Sequence, residues 1–180
     1  FKSLTSQLTN SMHKTLSTLL VISFLALASL IPGGPVESRD FSHISPIVWS
    51  LFNFLLTVLG LGSLVFAFFV NLKDAWALKG GCITGTSYVA IYTLDLAQIF
   101  PTSPTPMPPM LELIEVTSVL LGLLIVFLSA KLLFNHNALN SVKSSRFLRR
   151  IDLLYLLFGI ALIISIVVYS TLSAMGIAFI

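Results

Sequence analysis

A chain of 180 residues that is 56% hydrophobic and only 9% charged has too few charges to clothe a water-facing surface, since soluble domains carry about 25% charged residues. Its mean hydropathy of +0.99 makes lipid the expected solvent, and its apolar runs are continuous rather than alternating, which excludes a membrane β-barrel and leaves an all-α integral membrane protein. The net charge of +3 does not point to nucleic acid, because no Lys/Arg-rich groove with interleaved aromatics exists. The single Cys82 forms no intrachain disulfide, and no CxxC or Cys/His zinc spacing is present.

Phe1 to Asn10 is weakly amphipathic, with Phe1, Leu4 and Leu8 at helical spacing, and is expected to lie along the cytoplasmic interface or to fray. The chain opens on Phe, so residues upstream are expected, and Met12 is an alternative start. A first span is predicted from Thr15 to Ile31, stopped by Pro32-Gly33-Gly34-Pro35. Lys14 and Ala26-Leu27-Ala28 also suit a secretory signal; the stretch is read as a retained helix. A loop with Glu37, Arg39, Asp40 and His43 leads to Pro46, which suits a first helical turn. The second span is predicted over Pro46–Asn71, with Gly60 and Gly62 as packing positions and Trp49 in an interfacial belt. After the Lys73-Asp74 turn, span three is predicted over Ala75–Phe100, with Trp76 at the inner interface. The Pro-rich stretch Pro101–Pro109 forms a stiff connection, span four runs over Met110–Phe134, and span five over Ile151–Ile180 after the basic loop 135–150. Each has the roughly 20 residues needed to cross the hydrocarbon. The five spans make a single membrane domain, 1–180, with no internal repeat.

The charges orient this bundle. Nine of the ten Lys/Arg residues fall at the N-terminus or in alternate connections, and only Arg39 falls on the other side. By the positive-inside rule the N-terminus is cytoplasmic and the C-terminus external. A bacterial inner membrane and a thylakoid-type membrane satisfy the same rule. The basic loop residues Lys143, Arg146, Arg149 and Arg150 are candidate contacts for anionic lipid, or serve orientation alone.

One stripe stands out. Gly81, Gly85, Tyr88, Tyr92 and Asp95 follow spacings of 4, 3, 4 and 3, so they share one helix face. The glycines form a GxxxG pair for close helix packing; the two phenols lead to an acid near the outer surface. Glu112 and Glu115 open span four, where the macrodipole favours acids. Glu115 shares a face with Ser118, Gly122 and Ser129. The short connection makes spans three and four neighbours, so Asp95 and Glu115 are expected to approach. Two acids in a low-dielectric site repel, so a shared proton or a cation between them is expected. The plainer reading of the stripe is a packing face.

His13, His43 and His136 are placed outside the spans, which leaves no facing pair for a bis-His haem. Glu37, Asp40 and His43 are the only metal-like grouping and read better as a solvated loop; no metal site is expected. No GxSxG, HExxH, P-loop or dinucleotide fingerprint is present, so no catalytic residue is assigned. Cofactors are left unknown. The expected role is a small accessory or scaffold subunit of a larger membrane complex, packing on lipids, lipid-like cofactors and other membrane subunits through Gly- and aromatic-rich faces, including Gly60, Gly62, Gly81, Gly85 and Gly122. The alternative is a small oligomeric transporter or channel for a proton or cation through Tyr88, Tyr92, Asp95 and Glu115, although an odd span count does not divide into two inverted halves. An integral-membrane enzyme acting on lipid ranks third.

Overall fold

The computed structural model describes residues 2–30, 36–137 and 153–174, and it is all-helical across them. The five helices are α1 (Lys2–Ser29), α2 (Pro46–Asn71), α3 (Ala75–Leu96), α4 (Pro109–Asn137) and α5 (Leu153–Ala174). Among the described residues three stretches are long and apolar enough to cross a membrane: Gln7–Ser29, Pro46–Asn71 and Pro109–Phe134. The basic residues Lys143, Arg146, Arg149 and Arg150 lie outside the described residues.

The start of α1 and the end of α3 differ most from the sequence expectation. There is no separate N-terminal segment: α1 begins at Lys2 and runs unbroken into the apolar stretch. In consequence His13 lies within the first membrane-length stretch, not outside it. It is buried, and its Nδ1 lies 3.1 Å from the Val70 carbonyl, an acceptor that requires the ring to donate. α3 stops at Leu96 rather than Phe100. The cause is a local hydrogen-bond pattern used twice. At the end of α2, Asp74 N donates to Phe69 O (3.1 Å) and Lys73 N to Val70 O (3.0 Å), with Lys73 at φ 63°. At the end of α3, Ile99 N donates to Leu94 O (2.9 Å) and Gln98 N to Asp95 O (2.8 Å), with Gln98 at φ 53°. Both are Schellman caps whose left-handed position glycine usually fills.

Lys73→Gly is therefore expected to raise the thermal midpoint in detergent, because glycine accepts φ 63° without the roughly 1–2 kcal/mol cost of a Cβ there. A lower midpoint would show that the lysine side chain contributes more than its backbone costs.

In lipid, helices gain little by hiding apolar surface from one another, so close packing and internal polar contacts select the neighbours. α3 packs most extensively on α4. Gly85 faces Gly122 so closely that a Cβ on Gly85 would sit 2.8 Å from the Gly122 carbonyl. A Cβ on Gly81 would meet the Ser129 hydroxyl, and one on Gly60 the Phe24 and Leu27 side chains of α1. Gly62 plays no such part: a Cβ there would meet only Phe66 of its own helix, at 3.9 Å. It stands two residues from Gly60, about 200° around the helix, and so faces away from α1. Ser63 and Tyr88 bond across α2 and α3 at 2.8 Å, and Ser17 of α1 donates to Ala67 O of α2 at 2.8 Å. Around these contacts an apolar cluster of Leu16, Leu20, Val70, Leu78, Ile125 and Leu132 fills one end of the bundle.

A buried ion cluster above an apolar cavity

The other end of the bundle carries the 36–45 and 97–108 loops. The first loop folds inward and places Arg39 against the helix ends. Its guanidinium donates Nη1 to Asp95 Oδ1 at 2.7 Å and Nη2 to Asp95 Oδ2 at 2.9 Å. The other edge serves Glu37, with Nε to Oε1 at 2.9 Å and Nη2 to Oε2 at 2.7 Å. The Arg39 backbone N–H also donates to Glu37 Oε1, at 3.1 Å. Two carboxylates thus grip one guanidinium in the paired geometry that only arginine offers.

A third acid completes the cluster. Glu115 projects from the second turn of α4, and its Oε1 stands 3.9 Å from Arg39 Nη2, within ion-pair range but beyond a hydrogen bond. Arg39 and Asp95 are each 8% exposed, Glu37 4% and Glu115 1%. Burial by itself would make the Arg39 guanidinium easier to deprotonate. The hydrogen bonds it donates to Asp95 and Glu37, with their negative charge, outweigh that, and its affinity for the proton rises above the ordinary arginine value. Arg39 also lies over the Phe41 ring, 5.2 Å from its centroid. Phe41 in turn stacks on Trp49 with centroids 4.4 Å apart. Trp49 is consequently buried, at 2% exposure, and not part of an interfacial belt: the loop aromatic covers it.

Below the cluster lies a half-enclosed cavity of about 350 Å³, inside the range of small-molecule sites, roughly 300–1,000 Å³. Glu37, Arg39, Asp95 and Glu115 line its polar end; Phe24, Leu27, Leu56, Ile91, Leu162 and Ile166 contribute to its apolar walls. Phe52, Trp49 and Tyr92 line it as well. Three buried polar atoms on lining side chains have no hydrogen-bond partner: Glu115 Oε2, Trp49 Nε1 and the Tyr92 hydroxyl. The Tyr92 hydroxyl lies beside Ser118, whose hydroxyl donates to Ile114 O and keeps its lone pairs open toward Tyr92.

The sequence-predicted stripe therefore divides. Gly81 and Gly85 are packing positions; Tyr88 is tied to Ser63 outside the cavity; Tyr92 and Asp95 reach the cavity. Asp95 and Glu115 share the cluster, as helix adjacency implied. Sequence reading missed the group between them. Arg39 registered only as the one misplaced cation, and Glu37 only as a member of a metal-like loop set. That set does not assemble. Glu37 turns inward to Arg39, while Asp40 is exposed and accepts from Ser42 N (2.9 Å) and Ser42 Oγ (3.1 Å), which hold its carboxyl below the usual range. Among the described residues no His/Cys/Asp/Glu group is arranged to hold a metal ion. Glu112, unlike Glu115, is exposed.

Helices of this length and hydropathy, closed at one end by a buried ion cluster, define a helical membrane-class protein. Residues 12–146 match the family described as Domain of unknown function (DUF8051), and the chain belongs to that family. The matched region includes the Arg39 loop, Asp95 and Glu115. Comparison with curated proteins and with solved structures gave no match.

Proposed function

We propose that this protein is a small membrane-embedded binding subunit that holds one amphiphilic molecule, with the apolar part in the cavity and the polar head at the Arg39 cluster. The observation that carries this reading is the coincidence of three unpartnered buried polar atoms with the lining of one apolar cavity. Buried polar groups in folded proteins are bonded, and each exception calls for an explanation. A purely structural role accounts for Arg39, Glu37 and Asp95, which satisfy one another and fasten the loop to α3. It leaves Trp49 Nε1 unexplained, and it accounts for Glu115 only through a proton shared with Asp95.

The polarity of the site places it near the membrane surface that the 36–45 and 97–108 loops face. With five spans and the basic residues on the cytoplasmic side, that surface is the external one. An apolar tail gains little on moving from lipid into the cavity, because both are hydrocarbon-like. Selection among amphiphiles then rests on the head.

Two further readings compare as follows. The accessory-subunit reading is favoured by α4, whose Val116, Leu120, Leu123 and Phe127 present an apolar face that no other described helix covers; a partner subunit fits that face as well as lipid does, and a ligand-holding role is compatible with one. A proton or cation path through Asp95 and Glu115 loses its motive, because the Arg39 guanidinium stands where the cation would.

Leu56→Trp tests the cavity. Leu56 is a half-buried wall residue, and the indole would take up the space the ligand needs. The variant should fold and unfold cooperatively, yet lose the amphiphile that the parent retains through purification, as read by mass spectrometry of an organic extract. Equal ligand content in both proteins would reject the cavity as the binding place.

A further inference from the structure

We infer, resting on the binding reading above, that the head recognised at this site is a protonated amine accompanied by a hydroxyl: the ligand is a single-chain amino alcohol. The charges point to the amine. Three carboxyl groups surround one guanidinium, and Arg39 has spent both edges of its fork on Glu37 and Asp95. Glu115 receives none of those bonds and is 1% exposed; it is left to share a proton with Asp95, and its Oε2 accepts from no donor of the protein. An ionised carboxylate in that position needs a cationic donor, and a carboxyl that shares its proton with a neighbour still presents a free acceptor oxygen. An ammonium group satisfies either form and reduces the excess of negative charge. A carboxylate or phosphate head would add to it.

The hydroxyl follows from the two remaining atoms. Trp49 Nε1 is a donor only, so it needs an oxygen acceptor, and the Tyr92 hydroxyl is a second polar group on the lining of the same cavity. The aromatic rings of Trp49 and Phe52, on the cavity wall, suit a neighbouring cation. Glu115 thus selects the charge, while Trp49 on the same cavity lining donates to the oxygen.

The test is a binding series on the purified full chain in nanodiscs of neutral phosphatidylcholine. It uses four ligands with one common chain: a 2-amino-1-alkanol, its N-acetyl derivative, the plain alkanol and the fatty acid. A charge-assisted hydrogen bond implies that the amino alcohol binds at least about tenfold more tightly than its N-acetyl derivative or the alkanol, and that the fatty acid binds weakest. In Glu115→Gln the amino alcohol should fall to the level of the alkanol, whose own affinity stays the same. The N-acetyl comparison, made on the native chain, decides the matter even where that variant fails to fold. Equal affinity for amino alcohol, N-acetyl derivative and alkanol would overturn the amine assignment and leave the cavity reading standing. Tightest binding of the fatty acid would overturn it in favour of Arg39 as the recognising group. Failure of all four to bind would overturn the cavity reading itself.

Discussion

Arg39→Ala should be the most damaging single substitution outside the helix interfaces. It removes four side-chain hydrogen bonds to Glu37 and Asp95 and strands three acids, each less than a tenth exposed, without a countercharge. Deleting one partner of a buried ion pair costs about 3–5 kcal/mol, because the other charge stays buried. Thermal unfolding in detergent should show a large fall in midpoint. Arg39→Lys should fall in between, since an ammonium is a point charge that cannot grip two carboxylates side by side. The double variant Arg39→Met with Asp95→Asn should recover part of the loss, because removing both partners costs less than orphaning one. An Arg39→Ala protein that melts with the wild type would mean that the acids reach water and that the cluster is not a buried one.

The second large effect lies at the α3–α4 crossing. A Cβ at position 85 would stand 2.8 Å from the Gly122 carbonyl and 2.9 Å from side-chain carbons of Ile125 and Val126. The carbonyl belongs to a helix backbone and cannot swing aside, so Gly85→Val must push the two helices apart. Overpacking typically costs about 1–3 kcal/mol, occasionally more, and a backbone obstacle puts this site at the upper end. Separation of α3 from α4 also moves Asp95 away from Glu115, so the site should fail together with the fold. Gly62→Ala is the matched control. Its new Cβ meets only Phe66, at 3.9 Å, and alanine is the better helix former by about 1 kcal/mol. Equal melting of Gly85→Val and Gly62→Ala would contradict the close crossing.

Much of the helical plan is visible in the residues, for a reason particular to lipid. The outward faces are apolar, so the inward faces are marked by small and polar residues instead of by hydrophobic ones. On α4, Glu115, Ser118, Gly122 and Ser129 repeat at 3, 4 and 7 residues, and all are buried. On α3, Gly81, Gly85, Tyr88, Tyr92 and Asp95 do the same. Adjacency of the two helices then brings Asp95 toward Glu115. The decisive residue was not readable in this way. Arg39 reaches Asp95 across 56 positions of chain, and only the inward fold of the 36–45 loop brings them together. Pattern within a helix says nothing about where such a loop goes. Trp49 was misjudged for the same reason, since its cover, Phe41, belongs to that loop. The ends of α2 and α3 escaped notice because Lys73 and Gln98 hold left-handed positions where glycine is the usual signal.

The central claim is that one amphiphile occupies the cavity beneath the Arg39 cluster, and native mass spectrometry of the particle released by mild detergent tests it most directly. The expected result is a discrete non-protein mass bound once per chain, retained by the wild type and absent from Leu56→Trp, with or without partner subunits in the same particle. A chain that carries only a statistical sample of bulk lipid, unchanged in Leu56→Trp, would contradict it.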